Sequence, residues 1–78
     1  MLKLEDLKVG MRVSILDLEK IIGTAFILVD VENSIGTLVY IGEPYTDKST
    51  DIVLDLQKQG KSVCTIYEPY DSEVSWDE

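Results

Sequence analysis

The stretch Thr24-Ala25-Phe26-Ile27-Leu28-Val29-Asp30 decides the fold class of this chain. A short apolar run of this kind reads as a strand. Both of its faces are apolar: Phe26 and Leu28 lie on one, Ala25, Ile27 and Val29 on the other. Val31-Glu32-Asn33-Ser34-Ile35-Gly36 supplies turn residues, and Thr37-Leu38-Val39-Tyr40-Ile41 repeats the apolar pattern before Gly42. The two runs are close enough in sequence to pair as an antiparallel hairpin.

Upstream, Val9-Gly10 precedes Met11-Arg12-Val13-Ser14-Ile15, where apolar and polar residues alternate as in a half-buried first strand. Leu18, Ile21 and Ile22 then share one helical face, with Ser14 or Asp17 as a cap and Gly23 as a left-handed end. This predicts a short helix over about 16–22, which needs the sheet for support because so short a helix is unstable alone. Downstream, Pro44 ends the third strand, since proline cannot continue an inner ladder. From Asp47 the period becomes helical. Ile52, Val53 and Leu56 share a face, Lys58 lies late and Gly60 can terminate, which predicts a helix over about 47–59. Ser62-Val63-Cys64-Thr65-Ile66-Tyr67 is a further strand ended by Pro69, and Val74 and Trp76 are spaced to face one way in a short last strand.

The expected fold is therefore α+β and β-rich. It is a small five-stranded, antiparallel, strongly bent sheet or partly open barrel carrying the two helices. A ferredoxin-like sheet with the helix across it is the topological alternative. The segment Leu7-Lys8-Val9-Gly10-Met11-Arg12-Val13 resembles the entry of SH3-like barrels, where a glycine leads into the first strand. The chain lacks the acidic, tyrosine-rich first loop and the paired tryptophans of signalling SH3 domains, so the resemblance does not imply binding of proline-rich peptides. The pattern Leu-x-x-Gly-Met-x-Val, a short helix, an apolar strand and Gly-Thr-Leu-Val-Tyr-Ile-Gly also resembles uncharacterised small proteins of gut Gram-positive bacteria and their mobile elements. That resemblance implies no particular chemistry.

At 78 residues, with 45% hydrophobic and 28% charged side chains, the chain is expected to be one domain, with an acidic C-terminal end at about 70–78. A chain this short buries only about 60–65% of its unfolded surface. Its stability is expected to be roughly 3–5 kcal/mol. Fifteen acids against seven bases give a formal charge of −8, which argues against direct contact with nucleic-acid phosphates or anionic lipid. Residues 1–29 are neutral, with four acids and four bases, and residues 30–78 hold eleven acids against three bases. The chain has no histidine and one cysteine, Cys64, so the usual general base, an internal disulfide and a cysteine-based zinc site are all excluded. The cytoplasm is the simplest compartment for such a chain. No secretory leader is evident at the N-terminus, and the longest apolar stretch, Ala25–Val29, is far below the ~20 residues of a membrane span.

Catalytic and cofactor signatures are weak. Asp51 and Asp55 lie at i, i+4 on the predicted helix, but an amphipathic helix displays such pairs on its solvated face. Cys64 has no histidine to activate it and reads as a small buried hydrophobe. No glycine-rich phosphate loop occurs, and no cofactor or metal is expected. A small-ligand pocket between barrel and helix, lined by Thr24, Thr37, Thr65 and Cys64, is the rival reading that would make the chain a sensor or minor enzyme.

The aromatic residues carry the main functional expectation. Tyr45, Tyr67, Tyr70 and Trp76 fall at strand ends or in the tail, among Glu68, Asp71 and Glu73. Such an acidic, aromatic surface suits a basic protein partner, with rings as anchors and carboxylates steering the encounter. A variant of this reading makes the chain a nucleic-acid mimic that occupies the basic channel of a nuclease or DNA-binding protein. The doubly apolar runs at Ala25–Val29 and Leu38–Ile41 further predict a homodimer or an obligate hetero-partner: a barrel interior takes one of their faces, the helix at 47–59 covers part of the other, and what remains needs another chain.

Overall fold

The structure, a computed structural model, describes residues 2–43 and 47–67. After a single 3-10 turn at Leu4–Asp6 come strand β1 (Arg12–Ser14) and helix α1 (Ile15–Leu18). Strands β2 (Ala25–Glu32) and β3 (Ile35–Gly42), helix α2 (Asp47–Lys58) and strand β4 (Val63–Ile66) follow. The four strands form one antiparallel sheet in the order β1-β3-β2-β4. β1 and β4 are its two edges, so among the described residues the sheet is open and not closed into a barrel. The expected fifth strand, with Val74 and Trp76, lies outside the described residues. No described helix is long and apolar enough to cross a membrane.

The hairpin turn is tighter than the run of turn residues implies. Glu32 pairs with Ile35, leaving only Asn33 and Ser34 between the strands, at φ 55° and 66°. Two consecutive left-handed residues are the type I′ geometry, whose twist matches that of the flanking strands.

Two bulges then decide which side chains meet. Leu28 pairs with Leu38 while Ile27 pairs with Tyr40, so Val39 is an extra residue in β3. It brings Leu38 and Ile41, three positions apart, onto one face. In β2, two residues stand opposite Gly36 between the Val29–Thr37 and Glu32–Ile35 pairs. Asp30 takes φ 56° there, and Val31 turns to the same face as Phe26 and Leu28. Phe26, Leu28 and Leu38 form the core with Leu7, Val13 and Leu18, and Val31, Ile41, Cys64 and Ile66 pack against it.

The opposite face of β2 is covered as well. Ala25 and Ile27 are 0% exposed and Val29 is 4% exposed. α2 packs on β2 and β4. Its inner face runs Ser49-Ile52-Val53-Leu56, with Ser49 buried and the other three half-buried. The helical face read from sequence is therefore present. The expectation that apolar surface on β2 remains after α2 has covered part of it needs correction: over Ala25–Val29 both sides of β2 are buried without a second copy.

The short helix also differs from expectation, occupying Ile15–Leu18 rather than 16–22. Ser14 caps it, its Oγ accepting the Leu16 N–H at 3.2 Å. Beyond Leu18 the chain tightens: the N–H groups of Lys20 and Ile21 donate three residues back, to Asp17 and Leu18. Leu18 is buried, but Ile22 is 70% exposed. Ile22 lies largely in solvent, so its burial does not support a second helical turn.

Candidate protein-interaction surface

β4 runs antiparallel to β2, and its last residue, Ile66, pairs with Phe26 at the start of β2. β3 ends there too, since Gly42 pairs with Ala25. One end of the sheet thus gathers the entry of β2 and the exits of β3 and β4. Tyr67 follows β4 directly and is 38% exposed. It lines a shallow recess of about 420 Å³ with Thr65, Ile66 and Glu19. The recess thus carries one partly exposed phenol and one carboxylate.

Of the seven residues that the sequence singles out, Tyr67 is the one described here, and its side chain is partly exposed. Tyr45, Glu68, Tyr70, Asp71, Glu73 and Trp76 lie outside the described residues. Glu19 joins the surface without a sequence signal. It sits in a segment whose charges cancel, directly after α1, and lines the same recess as Tyr67 although 48 positions separate the two in sequence.

The charge distribution is sharper than a division of the chain at residue 30 suggests. Ten of the fifteen acids and all seven bases lie in the described residues. The other five acids, Glu68, Asp71, Glu73, Asp77 and Glu78, fall in 68–78 with no base among them. The net charge is therefore −3 over the described part and −5 over the eleven residues that follow Tyr67.

β4 also presents an open edge. The Ser62 carbonyl accepts the Asp30 N–H at 2.9 Å, which sets the phase of the ladder. Counting in twos along an antiparallel pair, Cys64 and Ile66 direct their backbone groups to β2, and Val63 and Thr65 direct theirs outward. Among the described residues no strand pairs with that side. Val63–Ile66 contains no charge, proline or bulge, the devices by which edge strands usually avoid further pairing.

The four residues of the rival pocket are not brought together. Cys64 packs against the core, while its neighbour Thr65 points to the opposite side of the sheet and is exposed. Thr37 accepts a 3.2 Å hydrogen bond from the Arg12 guanidinium, which also reaches the Asp30 carbonyl at 3.5 Å. Thr24 is buried at the start of β2. Asp51 and Asp55 are both exposed on α2, and an Asp55 carboxylate oxygen accepts the Gln59 side-chain amide at 2.9 Å. Among the described residues no group of three or more acids or cysteines is arranged to hold a metal ion.

Comparison with protein-family models, with curated proteins and with solved structures finds no match for this chain.

Proposed function

We propose that this chain is a non-catalytic, cytoplasmic interaction module that binds a basic protein surface. The observation that carries this reading is the exposed Tyr67 beside Glu19, followed at once by eleven residues with five acids and no base. The ring supplies contact area at little cost in side-chain entropy, and the carboxylates accelerate encounter with a cationic partner. Tyr45, Tyr70, Trp76, Glu68, Asp71 and Glu73 belong to the same reading as further anchors and steering charges.

The test is affinity capture from the cell of origin with the full chain and with a chain lacking 68–78. The expected result is basic proteins held by the full chain, released between about 0.1 and 0.5 M salt and lost on truncation. Capture indifferent to both salt and truncation would sink the reading. The density of carboxylates in 68–78 also favours the nucleic-acid-mimic variant, and duplex DNA that displaces the captured protein selects it.

The open side of β4 carries the remaining part of the proposal. An SH3-like barrel needs a fifth strand from the chain's own C-terminal part on that side, whereas a homodimer places a second copy there. Light scattering at high micromolar concentration separates the two, since a monomer of 8.8 kDa supports the first and twice that mass the second.

A further inference from the structure

A second depression lies at the same end of the sheet, and its chemistry is distinct from that of the Tyr67 recess. The 3-10 turn at Leu4–Asp6 places Leu4 and Glu5 at its mouth, and Leu7, whose N–H donates to the Leu4 carbonyl at 3.1 Å, forms part of its floor. Ile41 and Glu43, from the exit of β3, also line it. The groove encloses about 540 Å³ and is open to solvent. Leu7 is almost fully buried and Ile41 half-buried, but Leu4 is left 45% exposed. The lining thus combines the apolar side chains of Leu4, Leu7 and Ile41 with two carboxylates, Glu5 and Glu43. Among the described residues no lysine or arginine lines the groove.

We propose that this groove docks one apolar side chain of a partner protein, with lysines or arginines flanking that side chain. The proposal rests on the basic-partner reading above and assigns it a second, specific contact. Charge complementarity selects the occupant. An acidic segment, such as the chain's own residues 68–78, would bring carboxylates against Glu5 and Glu43 with no cation in the lining to offset them. A basic segment places its apolar residue on Leu4, Leu7 and Ile41. Its lysine or arginine stems lie along the same wall, and their heads reach the two carboxylates. The apolar contact supplies preference for the anchor residue, and the carboxylates supply encounter rate and salt dependence.

The experiment titrates the full, nitrogen-15-labelled chain at low salt with the peptide Lys-Lys-Leu-Lys-Lys and with Lys-Lys-Ser-Lys-Lys, following the backbone amides by NMR. The expected result is saturable shifts at Leu4, Leu7, Ile41 and Glu43, with the leucine peptide about five- to ten-fold tighter, as partial burial of one leucine side chain implies. The double substitution Glu5→Gln, Glu43→Gln weakens both peptides several-fold while preserving spectral dispersion, since both residues are exposed. Deleting 68–78 leaves the leucine-to-serine ratio unchanged. Equal affinity for the two peptides, or binding indifferent to the double substitution, overturns the groove assignment. If shifts fall elsewhere and vanish on deletion of 68–78, the groove fails but the basic-partner reading stands. If neither peptide binds at all, both fall.

Discussion

Val31 closes over the α carbon of Gly36. A β carbon at position 36 would stand 2.8 Å from Cγ2 of Val31, 3.0 Å from Cβ of Leu28 and 3.2 Å from the Val29 carbonyl oxygen. The contact exists because the β2 bulge turns Val31 inward across its neighbouring strand. Two of the three atoms belong to backbone or to a Cβ and cannot swing aside. Gly36→Ala is therefore expected to cost about 1–3 kcal/mol, read as a fall in Tm of roughly 4–8 °C for each kcal/mol. Adding Val31→Ala should remove only part of the clash. A double-mutant cycle with full recovery would show that Val31 alone sets the limit.

The bulge itself is held by Ser62, whose carbonyl accepts the Asp30 N–H and whose hydroxyl accepts the Val31 N–H, each at 2.9 Å. Ser62→Ala removes the second bond only, for an expected loss of about 0.5–1.5 kcal/mol. Amide hydrogen exchange should show the Val31 N–H losing protection relative to Asp30. Unchanged protection at Val31 would mean that the hydroxyl does not hold the bulge.

Ile27 is completely buried on the face of β2 opposite the main core, whereas Ile22 is 70% exposed. Ile27→Ala is expected to cost about 2–5 kcal/mol, enough to unfold most molecules of a domain this small. Ile22→Ser should stay within about 0.5 kcal/mol. Because the chain itself covers Ile27, the effect should not depend on protein concentration. A destabilisation that shrinks as concentration rises would show that a second copy completes this side.

The two-residue turn offers a stabilising change. Ser34 sits at φ 66°, a conformation that costs a residue with a Cβ about 1 kcal/mol or more. Ser34→Gly creates the Asn-Gly pair that type I′ turns favour. Its backbone carbonyl, which accepts the Ile15 N–H at 2.8 Å, is retained. Stability should rise by roughly 0.5–1 kcal/mol, as a higher midpoint in urea with an unchanged slope.

Local pattern was legible where one face of an element meets one surface. Ile52, Val53 and Leu56 fell on the buried side of α2 because a helix repeats every 3.6 residues whatever lies beyond it. The apolar runs at 24–30 and 37–41 became adjacent antiparallel strands for a similar reason. The spacing of Ile22 from Leu18 fits a helical face, but its side chain stays largely exposed, which periodicity alone does not reveal. Of the proposed surface, the exposure of Tyr67, an aromatic at a strand end, was legible. Glu5, Glu19 and Glu43 were not legible as a set, because they come from three separate segments.

By itself, the sequence determined the antiparallel α+β class, the order of helices and strands, and the concentration of negative charge after Tyr67. These depend on short-range periodicity and on composition, which a linear chain displays directly. Only the tertiary structure decided the strand order, the covering of the second side of β2 and the bulges at Asp30 and Val39. A one-residue insertion in either strand of a ladder inverts the facing of every later side chain. Its position depends on the partner strand's register rather than on the residues inserted.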